Sequence, residues 1–225
     1  MNLRCPTNRS LEPSLDLSVD LSLNLSLNLS RRQACAATAS LLCPALASSS
    51  ILAQDQAVWK ALRMGGHSVL IRHTIAPGTF DPPGFKLGEC STQRNLSDDG
   101  RAQAKALGEM FATMQVVIGT VRSSEWCRCV DTASLAFGSS KLQTWPALNS
   151  PTQLAPEQRK ANADSVRKAI QSFSPRTSPS RANQVFVTHN FNIQDITGQS
   201  IAEGEFLVMR EGPQGPQLAG RLASS

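Results

Sequence analysis

The sequence predicts an α/β fold, a three-layer sandwich with helices on both faces of a mostly parallel sheet. Short apolar runs typical of buried strands alternate along the chain with longer segments of helical periodicity. Two of these runs end in a histidine, at His73 and His189, and the chain has only three histidines. Because open α/β sheets place their chemistry at the carboxyl ends of strands, we expect these two histidines to share one site.

The first predicted elements follow from the spacing of apolar residues and from glycines and prolines, which interrupt helices and strands. Residues 57–64 form a short amphipathic helix that ends at Gly65-Gly66, and residues 67–71 form the first strand. Residues 74–93 contain too many prolines and glycines for regular structure, so they form a loop. Loops of that length in compact domains are usually functional or disordered.

A second helix begins after Ser97, whose side chain is a good N-cap. Asp98 and Asp99 suit the positive end of the helix dipole, and the helix extends to about Met114. A further helix, capped by Ser123 or Ser124, extends through Phe137. The remaining predicted elements are a strand at 116–121, a strand and loop at 142–154, a helix at 157–173, strands at 185–187 and 206–209, and a frayed edge strand at 217–222.

The first 53 residues differ in character from the rest of the chain. Residues 15–30 are a low-complexity repeat of Leu-Asp-Leu-Ser and Leu-Asn-Leu-Ser units. A pair of arginines then precedes residues 34–53, an uncharged stretch rich in Ala, Leu and Ser. This order is typical of a secretory signal peptide, with cleavage between Ala53 and Gln54.

Two alternatives to cleavage are a retained membrane anchor and a lipoprotein site at Cys43. Pro44 and several serines interrupt the apolar stretch, so it would span a bilayer poorly, and Leu42 is bulky for a lipoprotein site. We therefore predict an exported protein, periplasmic or secreted, with no stable membrane span after cleavage. Residues 54–225 form its functional domain.

The composition is that of a globular protein, with 40% hydrophobic and 17% charged residues. The net charge of +5 is spread along the chain, and no basic arm suggests a nucleic-acid partner. Cys90, Cys127 and Cys129 lie in the predicted mature domain. In an oxidising compartment they would form one disulfide, from Cys90 to Cys127 or Cys129 with Cys127 slightly favoured, and leave one free thiol. A zinc site is the alternative, although the Cys127–Cys129 spacing is unlike that of zinc ligand pairs.

Four motifs occur in order within residues 57–210. They are Arg72-His73, Leu-Ser-Asp-Asp-Gly-Arg-Ala-Gln-Ala at 96–104, Ser-Ser-Glu-Trp-Cys-Arg-Cys-Val-Asp-Thr-Ala at 123–133, and Val-Thr-His-Asn at 187–190. This pattern resembles the histidine phosphatase superfamily, which includes phosphoglycerate mutases, acid phosphatases and phytases, and looks closest to its small exported bacterial members. The resemblance implies a phosphoglycerate mutase-like fold.

The resemblance also implies a histidine-type acid phosphatase that needs neither metal nor cofactor and acts on a small phosphorylated substrate. His73 would be the nucleophile, attacking phosphorus as a neutral imidazole to form a phosphohistidine. Arg72 and Arg128 would hold the phosphoryl oxygens, since a guanidinium fork matches phosphate geometry. His189, cationic or donating a hydrogen bond, would complete the pocket.

Three further residues are candidates for the site. Thr74 stands where the superfamily usually has glycine, and we expect it to narrow the pocket or to donate a hydrogen bond to substrate. Asp81, in the long loop, is the first candidate for the general acid, although it also suits a turn before two prolines. Asp195 and Glu205 are weaker candidates. Arg94 is expected to face the pocket and bind substrate.

Two other functions fit the same residues. One is a phosphomutase on the same scaffold, and the other is a phospholigand-binding module that has lost turnover. The presence of both arginines and both histidines favours a phosphatase, whereas the uncertain general acid favours the binding module.

Overall fold

The computed structural model describes residues 43–176 and 181–223. The low-complexity repeat and most of the predicted signal peptide lie outside these residues. The helices are α1 (Cys43–Met64), α2 (Asp98–Thr113), α3 (Cys127–Phe137), α4 (Pro156–Gln171) and α5 (Asn190–Thr197). The strands are β1 (Ser68–Arg72), β2 (Ile118–Ser123), β3 (Leu142–Thr144), β4 (Asn183–Thr188), β5 (Phe206–Arg210) and β6 (Gln217–Leu222).

All six strands belong to one sheet, in the order β3-β2-β4-β1-β5-β6. The first four run parallel to one another, whereas β5 pairs antiparallel with β1, and β6 pairs antiparallel with β5. The prediction of a mostly parallel sheet is therefore confirmed. Strands β4 and β1, which carry the two histidine motifs, are neighbours at its centre.

Helices cover both faces of the sheet because strand residues alternate between two apolar cores. Val69 and Ile71 of β1 pack with α1, α2 and α3, through side chains such as Leu62 and Phe111. Leu70, between them, packs on the other face with residues of α4 and α5. This alternation produces the predicted three-layer sandwich, since successive side chains of a strand point to opposite faces.

Helix α1 is longer than the predicted helix at residues 57–64. It begins at Cys43, before the predicted cleavage position, with Pro44 in its first turn, where a proline is tolerated. No helix in the described part of the chain is long and apolar enough to cross a membrane.

Helix α3 corrects the predicted N-cap. Ser123 is the last residue of β2, and α3 begins only at Cys127 after Trp126. The hydroxyl of Ser124 accepts a hydrogen bond from the backbone N–H of Trp126 and also contacts His189. The serine pair therefore links a strand to the site rather than capping the helix. By contrast, Ser97 is the N-cap of α2, as predicted, and accepts from the Gly100 N–H at 3.0 Å.

Helix α5 was not predicted. It begins at Asn190, directly after His189, and ends at Gly198, whose φ of 74° is the left-handed conformation common after a helix. Ile193 and Ile196, three residues apart, are its buried face. The helix is short, so its two inward residues gave a weak periodic signal.

Candidate active site

The two histidine motifs meet because β1 and β4 are paired in parallel. Arg72 lies opposite Thr188 in this ladder, and the backbone N–H of His73 donates to the Thr188 carbonyl at 3.0 Å. His73 and His189 therefore both leave the sheet at one edge. Their ring centroids are 5.6 Å apart, so the structure brings the two histidines together.

His73 is held as a neutral imidazole with one nitrogen available to a substrate. Its Nδ1–H donates to the carbonyl oxygen of Thr74 at 2.9 Å, which fixes the tautomer and leaves the lone pair on Nε2. Burial, together with three nearby arginines, lowers the pKa of His73 to about 3 against the smaller raising effect of the Thr74 carbonyl. An unprotonated Nε2 is the form that can attack phosphorus.

Arg128, in the first turn of α3, is almost completely buried beside this pair. Its Nη2 lies 3.4 Å from Nδ1 of His189, and its Nη1 donates to the Arg94 carbonyl at 3.2 Å. Both terminal nitrogens of the Arg128 guanidinium group donate to the Asp81 carboxylate, Nη1 to Oδ1 at 2.8 Å and Nη2 to Oδ2 at 3.2 Å. The long loop between β1 and α2 thus reaches into the site through Asp81.

The environment of Asp81 does not suit the predicted general acid. Its carboxylate also accepts hydrogen bonds from the backbone N–H of Arg94 at 2.9 Å and from Nε1 of Trp126 at 3.0 Å. Burial raises the pKa of Asp81, but these bonds and those from Arg128 outweigh it and lower the pKa below its usual value. A general acid must carry a proton, whereas this carboxylate is stabilised in its ionised form.

His189 is also neutral, not cationic. Its Nε2–H lies 2.9 Å from the hydroxyl of Ser124, which in turn donates to Oδ1 of Asn149 at 3.2 Å. Burial, followed by the charge of Arg128, holds the pKa of His189 well below its usual value. Its Nδ1 therefore accepts from Arg128, and the ring helps to orient that guanidinium group.

A disulfide holds the long loop against the first turn of α3. It joins Cys90 to Cys127, the residue before Arg128, and so resolves the pairing that the sequence left open. The zinc alternative is wrong, since these two sulfurs are bonded to each other. Cys129 is the buried free thiol, and burial raises its pKa to about 12. It is therefore a poor nucleophile.

The two histidines, Asp81, Arg72, Arg94 and Arg128 line a cavity of about 650 Å³. Within the described residues, the Nε–H groups of Arg72, Arg94 and Arg128 are buried without a hydrogen-bond partner. Buried donors in proteins are normally satisfied. Three unpaired guanidinium donors around one cavity therefore indicate a site for an oxyanion.

Comparison with known proteins agrees with this chemistry. The model of the histidine phosphatase superfamily (branch 1) matches residues 85–192, which include Arg94, Arg128 and His189. Arg72 and His73 precede that match, and the strand pairing brings them to the same site. No curated protein matches the chain in sequence.

Several solved structures share the fold. The protein histidine phosphatase SixA, complexed with tungstate, has a TM-score of 0.51 at 12% identity, covering 70% of this chain and 97% of that one. A protein from an open reading frame of Mycobacterium tuberculosis has a TM-score of 0.52 at 17% identity, covering 70% and 97%. Phosphoserine phosphatase from Entamoeba histolytica, a mutant in complex with phosphoserine, has a TM-score of 0.52 at 12% identity, covering 71% and 98%. These likenesses, all under 25% identity, show that the fold is shared.

Six of the seven residues predicted for a histidine phosphatase site line the same cavity: Arg72, His73, Asp81, Arg94, Arg128 and His189. Thr74 does not line it. The Thr74 side chain is fully buried, and both its hydroxyl and its backbone N–H lie 3.1 Å from the hydroxyl of Thr132 in α3. Thr74 therefore ties the residue after His73 to α3 and lies outside the cavity.

Glu203, a carboxylate that the sequence did not single out, lies among the basic groups of the cavity. Its Oε1 is 3.4 Å from Nη2 of Arg72, 3.6 Å from Nη1 of Arg94 and 3.9 Å from Nδ1 of His73. The weaker candidates, Asp195 and Glu205, instead pair with Arg159 and Arg221. Glu203 precedes β5 in an irregular segment, and no local motif distinguishes it from Glu205.

Proposed function

We propose that this protein is a phosphomonoesterase that acts through a phosphohistidine on His73. The observation that carries the proposal is the unprotonated Nε2 of His73, which has Nη2 of Arg94 3.5 Å away. The Nε donors of Arg72, Arg94 and Arg128, around the same cavity, are buried and unpaired. Such an arrangement supplies a nucleophile together with donors for the phosphoryl oxygens.

In the first step, Nε2 of His73 forms a bond to phosphorus while the ester P–O bond breaks and the leaving oxygen takes the electron pair. In the second step, a water oxygen attacks the phosphohistidine, the P–N bond breaks, and inorganic phosphate is released. The positive charge of Arg72, Arg94 and Arg128 offsets the charge that develops on the phosphoryl oxygens. The Nδ1–H bond to Thr74 holds the ring in place during both steps.

The test compares wild type with His73→Ala on p-nitrophenyl phosphate in the presence of a chelator. We expect the substitution to lower kcat/KM by at least about a thousandfold, the usual cost of removing a nucleophile. His67→Ala is the matched control, because His67 precedes the other end of β1 and its Nδ1 bonds the Gly65 carbonyl. Rapid alkaline quenching followed by mass spectrometry should detect phosphate on His73. Phosphate binding without turnover would favour the binding module, and phosphoryl transfer to a second substrate without hydrolysis would favour a phosphomutase.

We also propose that the protein is exported. The pair of arginines and the uncharged stretch before Gln54 support this proposal, and the Cys90–Cys127 disulfide suits an oxidising compartment. An alkaline phosphatase fusion to residues 1–56 should be active if the segment exports, since that reporter needs disulfides to fold. An inactive fusion would contradict export.

A further inference from the structure

The rim of the cavity carries exposed aromatic side chains. Phe80, in the long loop, is 71% exposed, and Phe191, in the first turn of α5, is 47% exposed. Both line the cavity that contains His73. Exposing large apolar groups beside a polar site has no stabilising effect on the fold, so a contact with a ligand is the natural role for the pair.

Aromatic rings also extend from the nucleophile toward the loop. The His73 and His189 centroids are 5.6 Å apart, His189 lies 5.4 Å from Trp126, and Trp126 lies 5.5 Å from Phe85. These are ordinary spacings for interacting rings. One wall of the cavity therefore presents rings from the reacting nitrogen out to the loop that bears Phe80.

The charges in the cavity suit one phosphoryl group. Among the described lining residues, the only lysine or arginine side chains are Arg72, Arg94 and Arg128, and all three contact His73, His189 or Glu203. The rim, by contrast, is built from Phe80, Phe191, prolines and small polar residues. A substrate with a second phosphate or carboxylate would find no cation there.

The two carboxylates of the lining are both engaged with arginines. Asp81 is bonded to Arg128, and Glu203 lies near Arg72 and Arg94 and 3.9 Å from Nδ1 of His73, the nitrogen that does not attack phosphorus. No other described lining residue is an acid. An ester whose leaving oxygen needs a proton as the bond breaks should therefore react slowly. A phenolate can depart unprotonated, because phenols ionise near pH 10.

We infer that the site hydrolyses aryl phosphomonoesters, with the aromatic leaving group held against Phe80 and Phe191. The inference rests on the proposed function and narrows it to one substrate class. Nε2 of His73 bonds to phosphorus as the bond to the aryl oxygen breaks. The phenolate leaves with the electron pair and takes a proton from water after departure.

Binding can be tested without any leaving-group chemistry. Phenylphosphonate and methylphosphonate carry the same anion and cannot be hydrolysed at an ester bond. We expect the inhibition constant of phenylphosphonate to be at least about tenfold lower than that of methylphosphonate. Each contact between aromatic rings should strengthen binding several-fold. Phe80→Ser and Phe191→Ser should each raise the inhibition constant of phenylphosphonate several-fold and leave that of methylphosphonate unchanged. Leu218→Ser, which removes an exposed apolar side chain on β6, is the control and should change neither.

Turnover supplies the second test. Across substituted phenyl phosphates, kcat/KM should fall steeply as the pKa of the phenol rises, and O-phosphoserine should be at least about a hundredfold slower than phenyl phosphate. Equal inhibition by the two phosphonates, or equal turnover of phosphoserine and phenyl phosphate, would overturn the inference while His73-dependent hydrolysis still stood. Loss of all His73-dependent hydrolysis would instead overturn the proposed function.

Discussion

The carboxylate of Asp81 holds both terminal nitrogens of Arg128, at 2.8 Å and 3.2 Å. Arg128 is only 4% exposed, so this pair is shielded from water. A carboxylate in a guanidinium fork has the geometry that a phosphate would adopt there. Asp81 therefore positions Arg128 and, under the proposed function, holds a negative charge close to the bound phosphoryl group.

Asp81→Asn should strengthen phosphate binding. The amide keeps the shape of the side chain but removes a negative charge within a few ångströms of the anion, and in a partly buried site that repulsion is worth more than about 1 kcal/mol. We expect the inhibition constant of inorganic phosphate to fall by about tenfold, measured against p-nitrophenyl phosphate. An unchanged inhibition constant would contradict this repulsion between Asp81 and the anion.

Acid should destabilise the fold through His73. Its pKa is about 3 in the folded state, against an ordinary value of 6.5. Below about pH 6.5 the unfolded chain gains a proton at His73 that the folded chain excludes. The contribution of His73 to the free energy of unfolding is therefore fully present above that pH, and it declines by about 1.4 kcal/mol per pH unit as the pH falls toward 3. Urea unfolding between about pH 4.5 and pH 7.5 should show a shallower decline for His73→Gln than for wild type, and equal slopes would contradict the burial of a neutral ring.

The disulfide should stabilise both the domain and the loop that carries Asp81. Cys90 and Cys127 are separated by 37 positions, a loop whose closure contributes about 3 to 4 kcal/mol. Replacing both cysteines with serine should lower the free energy of unfolding by about that amount and raise KM, because the loop is no longer tied beside Arg128. Reductant should have no further effect on this variant of residues 54–225, where the remaining cysteine, Cys129, is a free thiol. A further effect would point to a different pairing.

Gly100→Ala should lower activity more than stability alone explains. A Cβ at Gly100 would lie 2.0 Å from the carbonyl oxygen of Ile75, two residues after the nucleophile. The segment must shift, and small displacements of a catalytic group can cost about a hundredfold in rate. Gly108→Ala is the matched control, because its Cβ would meet the Ala136 carbonyl at 2.2 Å in the contact between α2 and α3. Both should unfold at lower urea concentration, but only Gly100→Ala should lose most of its kcat/KM.

Residues whose role is set by local pattern were predictable from the sequence. Val69, Leu70 and Ile71 indicated a buried strand, and the histidines after β1 and β4 indicated a shared edge of the sheet. The N-cap Ser97 belongs to the same group, since capping is a short-range effect. In each case the cause of the structure lies within a few residues of the feature.

The parts of the site that depend on distant contacts were not predictable. Glu203 approaches His73 only because the segment before β5 folds back over the end of β1. Asp81 could be placed in the loop but not against Arg128, which follows it by 47 positions. Ser124 looks like a helix cap in the local sequence, where nothing indicates its contact with the distant His189.

The pairing of β1 with β4 has a consequence for how such a protein can diverge. Main-chain hydrogen bonds between two central strands set the spacing of the imidazoles, whereas the aromatic rim belongs to a loop and to the start of a short helix. Under the proposed function, the imidazole spacing and the ester preference therefore depend on different contacts, although Asp81 directly follows Phe80 and is bonded to Arg128. Replacing Phe80 and Phe191 with smaller or charged side chains, with Asp81 kept, should change which esters are accepted and leave the spacing of His73 and His189 unchanged.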